Sequence, residues 1–261
     1  MLYGAIYGDI LGSIHEYIGI TGAETRDQLL TEKSTFTDDT ILTLAVADAL
    51  MNNSDIGRAM RLYATIYHRP MGGYGTMFVN WLEQGDKAKP YNSYGNGSAM
   101  RCAACGWVAN SIEEAKEVAR LSAIPTHDHP EGIKGAEATA VCIYMARTGS
   151  SKEEIRKYIH EHYYDMSRNY EEVYNTEPYA FHATCQETVP LAILSFLYAD
   201  TFEDSIRYAM LVDKDTDTIG AVAGAIAEAY YGVSEDIRNV VRKKLDTPLL
   251  TILEQFENRY V

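Results

Sequence analysis

The chain has 261 residues, nearly half of them apolar, and a formal net charge of −14. A nucleic-acid binder needs clustered Lys and Arg to neutralise phosphates, so this balance argues against that class. Its four cysteines are too sparse for a disulfide scaffold, and the apolar fraction is large enough for one sizeable core.

Helical spacing of apolar residues dominates from end to end. The first predicted helix covers 2–18, within MLYGAIYGDILGSIHEYIGI. No basic residue precedes its apolar stretch, and Asp9, His15 and Glu16 interrupt it, so it does not read as a signal peptide. Asp9 and Glu16 are seven residues apart and are expected on one helix face. Further helices are predicted over 38–52, 55–68, 73–83, 98–110, 112–123, 130–148, 151–163, 184–198, 202–211, 217–231, 234–244 and 247–257. Ser111-Ile-Glu-Glu114 and Ser151-Lys-Glu-Glu154 have capping-box spacing. Pro248, after Asp246-Thr247, suits a first helical turn. The stretch 165–183 is the least helical and is expected to hold short extended pieces. With no linker, repeat or low-complexity segment, 1–261 reads as one all-α domain. No apolar run reaches the roughly 18 residues of a membrane span, so a cytoplasmic protein is expected.

Cys102-Ala-Ala-Cys105 has redox-motif spacing but runs into GWVAN, the buried face of a helix, so two core thiols are expected. Two acidic clusters stand out. FTDDT places Asp38 and Asp39 together ahead of the apolar ILTLAVADAL, and DKDTDT, residues 213 to 218, precedes the small-residue run IGAVAGAIAEAYYG. One Asp suffices to cap a helix; capping does not call for adjacent carboxylates. Clustered carboxylates in a partly dehydrated place must protonate or bind cations, and an all-oxygen Asp/Thr set suits Mg²⁺ or Mn²⁺, with room for two ions. GGYGTMF at 72–78 and NSYGNGSAMR at 92–101 are glycine-rich turns entering helices, which offer backbone N–H groups to an anion. THDHPEG places His127 and His129 before a helix that Pro130 begins, but no Cys/His set completes a zinc site. His160 and His162 lie on a charged helix and are expected to be solvated. Glu187 is read either as a further pocket acid or as a helix-surface residue.

GDILGSIHE, FTDDT, NSYGNGSAMR, THDHPEGIKGAEATA and DTDT ahead of a small-residue helix occur in this order, and together they resemble the ADP-ribosylglycohydrolase family over about residues 3–232. The resemblance implies an all-α fold with two Mg²⁺ (or Mn²⁺) ions at the base of an ADP-ribose cleft. It implies hydrolysis of the bond between ADP-ribose and a modified acceptor such as protein arginine or serine. Thr37, Asp38, Asp39, Asp215, Asp217 and Thr218 then match metal ligands. Glu16 matches a glutamate near the metals and the scissile bond, so Glu16, Asp38, Asp39 and Asp217 are the catalytic candidates, with Asp9 behind them. Gly73, Tyr74, Gly75, Ser93, Tyr94, Asn96 and Gly97 match loops that hold pyrophosphate and adenosine, and His127 matches a histidine lining the distal ribose. One departure stands out. The family pattern has Gly-Gly before its second acidic triplet, and this chain has Asp213-Lys214. Lys214 is expected either to pair with a carboxylate or ligand phosphate, or to lower metal affinity. That departure keeps open a binder of ADP-ribose that has lost catalysis; the Asp-rich site alone also admits a two-metal nucleotide phosphohydrolase.

Overall fold

The structure is a computed structural model that describes residues 1–177 and 179–260; Pro178, inside the stretch read as non-helical, and Val261 lie outside the described residues. Sixteen α-helices follow in order: α1 (Tyr3–Gly12), α2 (Arg26–Leu29), α3 (Asp38–Asn52), α4 (Ile56–Ile66), α5 (Thr76–Glu83), α6 (Gly97–Met100), α7 (Ala103–Val108), α8 (Ile112–Ala123), α9 (Pro130–Arg147), α10 (Lys152–His162), α11 (Tyr170–Thr176), α12 (Cys185–Tyr198), α13 (Phe202–Met210), α14 (Thr216–Tyr231), α15 (Glu235–Lys244) and α16 (Thr247–Tyr260). The all-α expectation holds. Among the described residues there is no strand, only isolated bridges between Thr37 and Met71 and between Gly95 and Thr184. No helix is long and apolar enough to cross a membrane among the described residues.

One apolar cluster runs from Met1 to Phe256, with α1 and α14 at its centre. These two helices are antiparallel and touch backbone to backbone. A Cβ on Gly4, Gly8 or Gly12 would fall 2.2, 2.0 or 2.2 Å from the carbonyl oxygens of Gly224, Gly220 and Thr216. Both helices therefore carry a small residue at every fourth position, on the face they share. Because the contact is antiparallel, the C-terminal end of α1 meets the N-terminal end of α14, where the second acidic cluster begins.

Among the departures from the sequence reading, three have clear local causes; in addition α5 begins at Thr76 rather than at 73, and α2 has no counterpart in the prediction. Helix α1 stops at Gly12, not at 18, because the Gly12 carbonyl is taken by the Thr216 hydroxyl at 2.8 Å and the His15 N–H at 2.8 Å. Glu16 therefore lies in the turns beyond α1 and does not share a helix face with Asp9. The helix read over 98–110 is two, α6 and α7, broken at Arg101. The stretch 165–183 contains α11, started by a capping box between Asn169 and Glu172. Of the two predicted capping boxes, Ser151–Glu154 is complete. At Ser111 only half forms, since the Glu114 carboxylate takes the Asn110 N–H at 2.7 Å instead. All four cysteines are free and buried; Cys102 and Cys105 are core thiols as expected, and burial pushes Cys105 up to about 12. His160 and His162 are exposed on α10.

Candidate active site

The two acidic clusters meet. Asp38 and Asp39 form the first turn of α3, whose N-cap is Thr37. Asp215 is the N-cap of α14, and Asp217 lies in its first turn. Asp9 on α1 stands behind them, fully buried. Its Oδ2 accepts the Thr37 N–H at 3.0 Å, the Thr40 N–H at 3.1 Å and the Thr40 hydroxyl, so it fixes where α3 begins. Asp215 is held by Asn96, whose side-chain amide donates to its Oδ2 at 2.7 Å. The Thr218 N–H donates to Asp217 Oδ1 at 3.0 Å. Glu16, reached through the turns after α1, completes the group: one carboxylate oxygen each from Glu16, Asp215 and Asp217 lies within 4.8 Å of the others.

Every member of the group is perturbed, by burial first. Burial pushes the Asp9 carboxyl up to about 6, with hydrogen bonds from Thr37 and Thr40 opposing it. Burial first, then Asp213 and Glu16, raise Asp215 to about 7, against hydrogen bonds with Asn96 and Asp217. Asp38, Asp39 and Asp217 are driven well above the usual carboxylate range, by burial first and by neighbouring carboxylates second. Glu16, half-buried, is raised by burial. No Lys or Arg figures among the strongest influences on these six groups. Two of the buried oxygens, Asp9 Oδ1 and Asp39 Oδ2, have no hydrogen-bond partner. Buried like charges without a counter-ion either protonate or gather around a cation. An all-oxygen donor set with orphaned carboxylate oxygens fits a hard divalent ion.

A cavity of about 530 Å³ is lined by five of these acids, all but Asp9, and by the glycine-rich turns. Of the residues singled out in the sequence, Glu16, Asp38, Asp39, Asp215, Asp217 and Thr218 line it, as do Gly73, Tyr74, Gly75, Ser93, Asn96, Gly97 and His127. Two do not. Thr37 is fully buried, its hydroxyl accepting the Asp39 N–H at 3.2 Å. Tyr94 is 48% exposed and stands beside His129, ring centroids 5.2 Å apart. His127 is buried with Nδ1 2.7 Å from the Thr126 hydroxyl, and burial and Arg101 drive its pKa well below the usual value, so its ring is neutral at pH 7. His129 caps α9, accepting the Glu131 N–H at 3.1 Å, which leaves the zinc reading without support. Glu187 is exposed, paired with the Thr184 hydroxyl, and away from the cavity. Lys214 pairs with none of these carboxylates. Its amine lies over the Tyr179 ring, 5.3 Å from the centroid, and it lines a separate cavity.

Several lining residues carried no role in the sequence reading. Arg101 is buried, and its guanidinium donates to the Gly97 carbonyl at 2.9 Å, the Ser122 carbonyl at 3.0 Å and the Thr126 hydroxyl at 2.8 Å. It ties the turn at 97 to the one at 126, and an arginine closing a glycine-rich motif was the available signal. Tyr17 and Phe181 stack at the cavity, ring centroids 4.6 Å apart, both exposed. They are so far apart in sequence that no local pattern joins them.

The profile of the family described as ADP-ribosylglycohydrolase matches residues 1–260. The chain belongs to that family. This ADP-ribosylglycohydrolase is 28% identical to the ADP-ribosylhydrolase ARH3 of Homo sapiens, over 90% of this chain and 85% of that one. It is 26% identical to the ADP-ribosyl-[dinitrogen reductase] glycohydrolase of Rhodospirillum rubrum, over 93% of this chain and 88% of the relative. A solved structure, the ADP-ribosylglycohydrolase-related protein complex, superposes with a TM-score of 0.72 at 23% identity, covering 97% of this chain and 95% of that one. The last likeness speaks to the fold. The family profile, spanning all but one residue, makes this ADP-ribosylglycohydrolase an enzyme of the glycosidic-bond class.

Proposed function

We propose that this enzyme hydrolyses the bond between the distal ribose of ADP-ribose and a modified protein side chain, arginine or serine, with two Mg²⁺ or Mn²⁺ ions. The observation that carries the reading is the convergence of five carboxylates, with no Lys or Arg among the strongest influences on them, in one cavity lined by glycine-rich turns. Asp38, Asp39, Asp215, Asp217 and the Thr218 hydroxyl would hold the cations, with Thr37 contributing through its buried oxygen. When bound, such ions polarise and orient sugar hydroxyls and a water molecule.

The chain's own residues do the rest. Helix α5 has Gly75 as its N-cap and no side-chain cap, so its first N–H groups are free to bind pyrophosphate. Gly97 lets the His127 ring approach: a Cβ there would sit 3.2 Å from Nε2. A neutral His127 accepts or donates one hydrogen bond to a ribose hydroxyl without adding charge. Glu16, raised by burial and set at the edge of the acid group, holds the proton that the departing acceptor needs or takes one from the attacking water. Holding sugar, water and acid in register removes a large part of the barrier, up to about 7–11 kcal/mol in the best cases.

The reading as a non-hydrolytic binder leaned on Asp213-Lys214. With the Lys214 amine turned to a separate cavity, nothing at that position obstructs the site. The test uses chelator-stripped enzyme with arginine- and serine-ADP-ribosylated peptides, assayed with and without Mg²⁺ or Mn²⁺. Free ADP-ribose released only with metal supports the proposal. Binding without release points to the binder, and AMP or inorganic phosphate points to phosphohydrolysis.

A further inference from the structure

Residues 213 and 214 stand where the resembling pattern has two glycines, and they face opposite ways. The Lys214 side chain turns outward. The Asp213 side chain is fully buried. Its Oδ1 accepts two backbone N–H groups, from Asp215 at 3.0 Å and from His182 at 3.1 Å. Its Oδ2 lies 3.4 Å from His182 Nδ1, and neither atom has a hydrogen-bond partner. The segment it grips then holds Asn96. The Ala183 carbonyl accepts the Asn96 N–H at 3.0 Å, and the His182 carbonyl accepts the Asn96 side chain at 3.3 Å and the Thr188 hydroxyl at 3.0 Å. Asn96 closes the circuit on Asp215 Oδ2 at 2.7 Å.

The ring therefore runs from Asp213 through Asp215, Asn96 and residues 182–183 back to Asp213. It joins the loop that presents a cation-binding carboxylate to the loop that presents Asn96 and Gly97 to the cavity. Two glycines cannot make this bridge, because they lack the acceptor that takes both N–H groups. A buried carboxylate held by backbone donors is rigid, since releasing either donor leaves it unsatisfied.

We propose that Asp213 is a positioning residue that locks Asp215 and the Asn96 loop into one unit, so that a divalent cation and ADP-ribose each meet a preformed half of the site. This rests on the reading under Proposed function. The test is binding, measured separately from turnover. Mn²⁺ affinity is measured on the ligand-free enzyme, and ADP-ribose affinity is measured in chelator. Asp213→Ala weakens both, each about tenfold or more, as loss of a residue that orients a metal ligand does. Asp213→Asn keeps an oxygen acceptor at Oδ1 and restores both to within about threefold of the parent, while Lys214→Met changes neither. Should Asp213→Ala fail to fold, the double change Asp213→Gly with Lys214→Gly takes its place, because the resembling pattern carries that backbone; the same losses are expected. Parent-like affinities in a folded Asp213→Ala or double variant, even with a lower melting temperature, overturn the proposal, as does an Asp213→Asn as impaired as the alanine form. An unsubstituted enzyme that binds neither Mn²⁺ nor ADP-ribose would sink the functional reading instead.

Discussion

Gly8→Ala adds one methyl group where α1 and α14 touch. The new Cβ would lie 2.0 Å from the Gly220 carbonyl oxygen and 2.3 Å from its carbon, whereas ordinary contact begins at 3.4 Å. The neighbour is backbone, so no rotamer change relieves the clash and the helices must separate by more than an ångström. Overpacking a filled core commonly destabilises by about 1–3 kcal/mol, and a backbone-to-backbone contact belongs at the upper end. For a chain of this size, that lowers the melting temperature by roughly 5–10 °C. The catalytic effect is larger than the thermal one. Asp9, which fixes the start of α3, is the next residue on α1, and Asp215 and Asp217 begin α14. Separation therefore pulls the two acidic clusters apart, and a misplacement near 1 Å lowers turnover about a hundredfold. The assay pairs a thermal melt with metal-dependent release of ADP-ribose from a modified peptide at 25 °C, where the variant stays folded. Near-parent turnover with a lowered melting temperature would refute the claim that this helix contact sets the register of the site.

Other outcomes follow from the same charges and contacts. Asp39→Asn removes a buried charge, so in chelator it melts higher than the parent while its ADP-ribose release falls at least about a hundredfold; calorimetry and product analysis read the two effects. In chelator the parent loses stability as pH rises from 4 to 7. Asp9 and Asp215 titrate at about 6 and about 7 when folded but near 3.8 when unfolded, so the folded chain binds the extra protons in that window. Urea midpoints at pH 5 and pH 8 should favour pH 5, and saturating Mg²⁺ should erase or reverse the difference. Arg101→Met orphans the acceptors at Gly97, Ser122 and Thr126, at about 1–3 kcal/mol each, and lowers both melting temperature and ADP-ribose affinity.

What the sequence disclosed, and what it hid, divides by the range of the interaction. The paired acids at 38–39 and 215–217 were legible because each precedes an apolar helix, and a carboxylate tied to a helix N-terminus must sit at the edge of the core. Glu16 is legible as a candidate, but its geometry is not: apolar period alone carries the helix to 18, because it holds no record of Thr216 capturing the Gly12 carbonyl. The partnership of α1 with α14 was written in two series of small residues four apart, Gly4, Gly8 and Gly12 against Thr216, Gly220 and Gly224. Read singly, each series describes a buried helix; only together do they specify backbone contact and hence which acids meet. Lys214 shows the opposite limit. A charged residue beside a metal-ligand candidate reads as part of the site, yet the two neighbours in this loop point apart: Asp213 turns inward, to brace Asp215, and Lys214 goes to Tyr179. Side-chain direction in a loop is set by partners distant in sequence, His182 and Tyr179 here, and therefore becomes visible only when the chain is folded.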